Sequence, residues 1–237
     1  GIGAAALVEF FSKRSLNSSA TGFMPLTLSG LLFIISPVQV LVQNYHTQDR
    51  SGNYVAWDYS YNMLMSCEKD GIMYTNGDND TFPLWYLQEV EYVRTDVRVA
   101  NLSLLNTSWY IYQLKKWEPK VPISLSDDEI ERVAPVRWPK SRTIVIDVPE
   151  EYSAREAELY RNTIKLSEPK VSSQLSFSLG PKFFGQYLRV QDYMILNTLY
   201  NNNFRKPMYF AVTVSKDNML DGLQKYLRMD GLTFKIT

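Results

Sequence analysis

Gly71-Ile72-Met73-Tyr74-Thr75-Asn76-Gly77-Asp78-Asn79-Asp80-Thr81-Phe82-Pro83-Leu84-Trp85 decides how this chain is read. Gly71 to Thr75 is a short apolar run suited to a strand. Asn76 to Thr81 is a cluster of turn and cap formers that breaks it. A helix is predicted to start at Phe82-Pro83-Leu84-Trp85, with Pro in its first turn, where a missing N–H costs nothing. Leu84, Leu87 and Val90 then share one helix face. Arg94-Thr95-Asp96 ends that helix, and Val97 to Ala100 leads into a second strand. Strand, helix, strand at this spacing is a right-handed crossover between parallel strands. In open α/β sheets ligands sit beyond the carboxyl ends of the strands. The Asp78-Asn79-Asp80 turn is placed at such an end.

Outward from this unit the same reading continues. Upstream, Tyr54, Trp57, Tyr61, Leu64 and Met65 recur at helical spacing, and Cys67 reads as a small buried hydrophobe. Downstream come a helix over Trp109 to Lys116, a Pro-rich stretch from Trp117 to Arg142, and a short helix flagged by the capping box Ser126-Asp127-Asp128-Glu129. A strand is predicted over Thr143 to Val148. Glu150 to Ser178 is ambiguous between a helix begun at Ser153 and a weakly alternating strand from Val171. A helix from Asp192 to Asn203, a strand over Met208 to Val214, a short helix over Leu220 to Leu227 and a strand over Leu232 to Ile236 follow. Alternation of helices and strands makes this an α/β layered domain.

The 237 residues carry equal numbers of acidic and basic side chains, which argues against a nucleic-acid partner. One cysteine excludes an intrachain disulfide, and one histidine excludes a His-rich metal site within the chain. Sixteen Tyr and five Trp are an aromatic excess that leans towards membrane interfaces or sugar-stacking surfaces. Between Arg14 and Asp49 no charged side chain occurs, and Phe23 to Val42 is dominated by Leu, Ile, Val and Phe. A spanning helix needs roughly 20 mostly apolar residues, so a transmembrane helix is expected over about 23–42, with Gly1 to Phe11 the tail of another helix. Lys13 and Arg14 would stay cytoplasmic and place residues 44–237 on the outer side.

Asp78-x-Asp80 is the sharpest local signal. Two carboxylates one residue apart on a turn can bind a divalent cation through oxygen. The competing reading has Asp80 and Thr81 cap the helix. Asn101 and Asn106 lie past the second strand on the same sheet edge, where they would complete a polar crevice or simply cap loops. Trp85 is a stacking platform for a sugar or packs against the helix layer. Arg94 and Asp96 pair with each other. No triad, phosphate loop or dinucleotide fingerprint is found.

Asp49-Arg50-Ser51, Thr75 to Gln88, Arg94 to Val99, Pro207 to Thr213 and Tyr226 to Leu232 together resemble a family of bacterial multi-pass membrane proteins. The family is typical of Bacteroidetes and was long labelled a domain of unknown function. It is grouped with C-type glycosyltransferases and is related to eukaryotic membrane protein O-mannosyltransferases. The resemblance covers most of Asn44 to Thr237. It implies a polyprenyl-phosphate-linked sugar donor, membrane lipid around the parent protein, and an acceptor protein or glycan on the outer face. The catalytic acid of such enzymes is expected on an outer loop between early membrane helices, so no catalytic residue is assigned in this chain.

The expected organisation is therefore the end of a membrane domain, residues 1–43, followed by a periplasmic α/β domain, residues 44–237, with a mixed, Rossmann-like sheet, in a bacterial inner-membrane protein. The expected role is acceptor binding or bracing in a membrane glycosyltransferase, with Asp78, Asn79, Asp80, Trp85, Asn101 and Asn106 as candidate substrate contacts. No cofactor is expected. The alternatives are a membrane-anchored binding or sensor domain, and a metal-dependent sugar transferase holding a divalent cation at Asp78 and Asp80.

Overall fold

The computed structural model describes residues 23–164 and 171–237, with Ala6 and Glu9. It contains a first unit that ends at Asn53 and a second, Tyr54–Thr237. Among its described residues the first unit holds the long helix α1 (Phe23–Gln48), with Pro37 inside it. Among the described residues no helix is long and apolar enough to cross a membrane. This corrects the expected transmembrane helix at 23–42. The helix forms, but Ser36, Pro37, Gln39, Gln43, Asn44 and His46 interrupt its Leu, Ile and Val residues. Amide side chains are costly to take into hydrocarbon. The helix tail expected at Gly1 to Phe11 lies outside the described residues, apart from Ala6 and Glu9.

The second unit opens with α2 (Val55–Met65). Met63 and Leu64 of α2 are buried, and Trp57 stacks on Tyr61 with ring centroids 5.0 Å apart. Strand β1 (Ile72–Thr75) is buried along its whole length, as a strand covered on both faces must be. Helix α3 (Asp78–Glu89) follows, then β2 (Arg98–Asn101). Helix α3 begins four residues before the expected Phe82. Asp78 and Asp80 therefore lie in its first turn, where carboxylates favour the positive end of the helix dipole. Pro83 falls inside the helix and gives no N–H to the Asn79 carbonyl four residues back. Of the expected face, Leu84 and Leu87 are fully buried, and Val90 is exposed beyond the helix end.

Next come α4 (Ser108–Lys116) and α5 (Asp127–Glu131). The capping box at Ser126 forms as its sequence predicts, with Ser126 N donating to Glu129 Oε2 at 2.7 Å. Strand β3 (Val136–Arg137) is followed by β4 (Arg142–Asp147) and α6 (Glu150–Ile164). Then come β5 (Gln174–Leu179), β6 (Tyr187–Leu188), α7 (Val190–Asn202) and β7 (Met208–Ala211). A hairpin of β8 (Leu227–Asp230) and β9 (Thr233–Ile236) closes the chain.

The central sheet has five strands in the order β2-β1-β7-β9-β8. Strands β2, β1 and β7 run parallel, whereas β9 is antiparallel to both β7 and β8. The sheet is thus mixed, as expected. Two small antiparallel pairs, β3 with β6 and β4 with β5, lie outside it. The helix expected over Leu220 to Leu227 is reduced to a 3-10 turn, Leu223–Tyr226, which runs into the first strand of the β8–β9 hairpin at Leu227. The hairpin turn needs Gly231, whose φ is +55°, and a Cβ there would collide with the Ser66 hydroxyl.

Candidate functional site

The chain leaves β1 towards β2 on one side and returns to the sheet through β7 on the other. Crossovers that diverge at a central strand open a crevice beyond the carboxyl ends of the parallel strands. Three chain segments converge there: Thr75 to Thr81 after β1, Asn101 at the end of β2, and Thr213 after β7.

A neutral hydrogen-bond network builds the floor. The hydroxyls of Thr75 and Thr81 are 2.8 Å apart. Asn101 Nδ2 donates to Thr81 Oγ1 at 2.8 Å, and Thr81 Oγ1 donates to the Gly77 carbonyl at 2.7 Å. Asn101 Oδ1 accepts from Leu104 N at 3.0 Å. Thr75, Thr81 and Asn101 are all buried, so each polar atom must find a partner inside the protein. The helix is capped by Gly77, φ +92°, with no side-chain cap bond. The expected capping by Asp80 or Thr81 is replaced by longer-range contacts. Asp80 is buried and its Oδ2 accepts a hydrogen bond from the Thr213 hydroxyl. Burial, and then the Asp80 charge, push the Tyr59 phenol up from its ordinary pKa.

Asp78 and Asn79 are exposed on this floor. The structure thus brings Asp80 and Asn101 to one place and leaves Asp78 and Asn79 at its rim. Asn106 belongs to a neighbouring cluster on the same edge. Its Nδ2 donates to Gln191 Oε1 at 2.9 Å, and its Oδ1 accepts from Gln191 N at 3.1 Å. Gln191 Nε2 in turn donates to Asn218 Oδ1 at 3.3 Å, which Arg189 also reaches at 2.9 Å. Thr213, Gln191 and Asn218 were not singled out from the sequence. Thr213 lies 133 residues from Asp80, Gln191 85 from Asn106 and Asn218 27 from Gln191, and no local pattern marks such pairs.

Trp85 stands apart from the turn. It packs near Tyr110, with centroids 6.4 Å apart, and lines a cleft of about 600 Å³ between α3, β2 and α4. Among the described residues no group of three or more His, Cys, Asp or Glu side chains could hold a metal ion.

The opposite end of the parallel strands, ahead of β1 and β2, is a bracket. Arg94 donates to Asp96 at 2.8 Å and to the carbonyls of Leu64, Cys67 and Glu68 at 2.8–3.0 Å. It therefore satisfies one carbonyl in the last turn of α2 and two just beyond the helix end, besides forming the expected pair. The Arg94 hydrogen bonds lower the Asp96 carboxyl to about 2. Burial raises the Cys67 thiol to about 12, in keeping with its reading as a hydrophobe.

No solved structure matches the chain. A protein O-mannosyl-transferase tmem260 of Dictyostelium discoideum is 22% identical over 117 residues, which cover 46% of this chain and 14% of that protein. Protein O-mannosyl-transferase TMEM260 of Mus musculus is 30% identical over 122 residues, covering 51% of this chain and 16% of its own length. The aligned stretch thus spans less than a fifth of either relative. The model of TMEM260-associated domain 2 matches residues 56–137 and 134–237, which together take in nearly all of the second unit. The chain belongs to the TMEM260-associated domain 2 family and is related to protein O-mannosyltransferases.

Proposed function

We propose that the second unit is an acceptor-docking domain of an O-mannosyltransferase-like protein. In this reading the parent protein works at a bacterial inner membrane with a polyprenyl-phosphate-linked sugar. The unit lies on the periplasmic side and brings the acceptor protein or glycan to the donor. The chemistry is left to an acid elsewhere in the parent protein.

One observation carries the reading: three parallel strands end on a rim where Asp78 and Asn79 face solvent above a floor with its polar groups satisfied. A floor of neutral hydroxyls and amides holds the rim still without competing for it. A carboxylate and an amide side by side accept and donate hydrogen bonds, which suits hydroxyl- and amide-rich acceptors. Family membership and the printed names of the relatives support the choice of reaction.

The test is photo-crosslinking in the full-length protein. A photoreactive residue in place of Asn79 should capture acceptor, and the same residue in place of the exposed Lys225 should not. Capture at neither position, or equally at both, would overturn the reading.

A further inference from the structure

The cleft between α3, β2 and α4 lies outside the rim and has its own chemistry. Its volume, about 600 Å³, is within the roughly 300–1,000 Å³ typical of small-ligand sites. Three of the five tryptophans of the chain line it: Trp85, Trp109 and Trp117. Trp109 is 57% exposed, Trp117 61% and the neighbouring Tyr92 79%. Large aromatic surfaces left in water at one place mark a binding surface.

The polar lining decides which class of ligand fits. Glu89 and Glu118 set two carboxylates against the single guanidinium of Arg98. Arg98 is itself engaged, Nη1 with the Glu118 carbonyl at 3.3 Å and Nη2 with the Gln113 carbonyl at 3.4 Å. It offers no open fork to a phosphate, and an anionic ligand would meet repulsion. Its Nε is buried and not presented to a ligand.

A peptide cannot enter by strand addition. Strand β2 is the sheet edge, but the Tyr110 hydroxyl covers it, accepting from Asn101 N at 2.9 Å and donating to the Val99 carbonyl at 3.3 Å. A proline-rich peptide would suit the aromatic rings, but it has few N–H groups to give the two carboxylates, which only accept. Sugar hydroxyls both donate and accept, and the C–H faces of a pyranose stack on indole rings.

We infer that the Trp85–Trp109–Trp117 cleft binds an uncharged carbohydrate chain, gripped by the indoles and by Glu89 and Gln113. The inference does not need the Asp78 rim, and the two are tested apart.

The experiment titrates the full chain with mannotriose, cellotriose and chitotriose, following tryptophan fluorescence, with decaproline and inorganic phosphate as the other arms. At least one trisaccharide should give a saturable change with Kd on the order of 1 mM or tighter. Trp109→Ala and Gln113→Ala should each weaken it about tenfold or more with an unchanged unfolding midpoint. Asp78→Ala should leave it intact. Silence with all three sugars, a response to decaproline or phosphate alone, or binding that survives Trp109→Ala would overturn the inference. Loss of sugar binding in Asp78→Ala would overturn its independence from the rim.

Discussion

In the antiparallel half of the sheet, charge is buried and paired; in the parallel half, the buried polar groups are mostly neutral and the free charge stands at the rim. Lys235 on β9 is fully buried and lies between Glu68 and Glu156, 2.5 Å from the Glu156 carboxylate, which is itself 1% exposed. Arg228 on β8 closes the cluster, 2.7 Å from both Glu156 and Asp230. At the other half, Thr75, Thr81 and Asn101 exchange hydrogen bonds, with Asp80 held by Thr213 and Asp78 and Asn79 outside. Buried ion pairs add little net stability but are costly to break one-sidedly, and so fix one arrangement of their elements. A neutral floor under an exposed carboxylate and amide costs less to build and leaves the rim available to a ligand. The antiparallel half is organised for rigidity, and on the proposed reading the parallel half is organised for presentation.

This contrast is broken most severely at Lys235. Lys235→Met should leave Glu156 one close partner, the Arg228 guanidinium it shares with Asp230, and lower stability by about 3–5 kcal/mol, read as a fall in the urea midpoint at unchanged slope. Adding Glu156→Leu should restore much of that loss, because the excess buried negative charge goes with it and Arg228 keeps Asp230. In the parallel half, Thr81→Val removes a hydroxyl that serves Thr75, Asn101 and Gly77. It should cost about 1–3 kcal/mol in the same measurement.

A smaller effect lies in acid. Asp96, held at about 2 by Arg94, binds its proton less readily in the folded chain than in the unfolded one, where a carboxyl titrates near 3.9. Its contribution is full above roughly pH 4. It should fade as the pH falls towards 2. Asp96→Asn should be less stable at neutral pH and flatter across that window by thermal melts. Cys67, with its thiol raised to about 12, should resist alkylation at pH 8 until the chain unfolds, and mass spectrometry would register any earlier labelling.

The features legible in the sequence are the local ones. The run Ile72 to Thr75, the helix periodicity at Leu84 and Leu87, the capping box at Ser126 and the apolar run at Met208 each advertise their state within a few residues. The β8–β9 hairpin is equally local, its two-residue loop signalled by Gly231 at the first position, yet its first strand, β8, goes unread beside the helix expected over Leu220 to Leu227. The long apolar stretch around Leu31 to Val42 over-promises. Its lack of charge draws the eye away from Gln39, Gln43 and Asn44. The site is half readable. The strand–turn–helix order places Asp78 to Asp80 at a sheet end, but Thr213 is 133 residues from Asp80 and nothing near either announces the other. The aromatic cleft is invisible for another reason: Trp109 and Trp117 follow no motif, and only the fold sets them beside Trp85.

The smallest stability effect belongs to the rim, and there the account is most exposed. Asp78→Ala with Asn79→Ala, both at exposed positions, should shift stability by no more than about 0.5 kcal/mol. The decisive measurement is mannosyl transfer by the full-length protein carrying that double variant, taken with its melting temperature. The account predicts an unchanged melting temperature, a raised KM for acceptor and a spared kcat. Unchanged KM and kcat at full stability would contradict it.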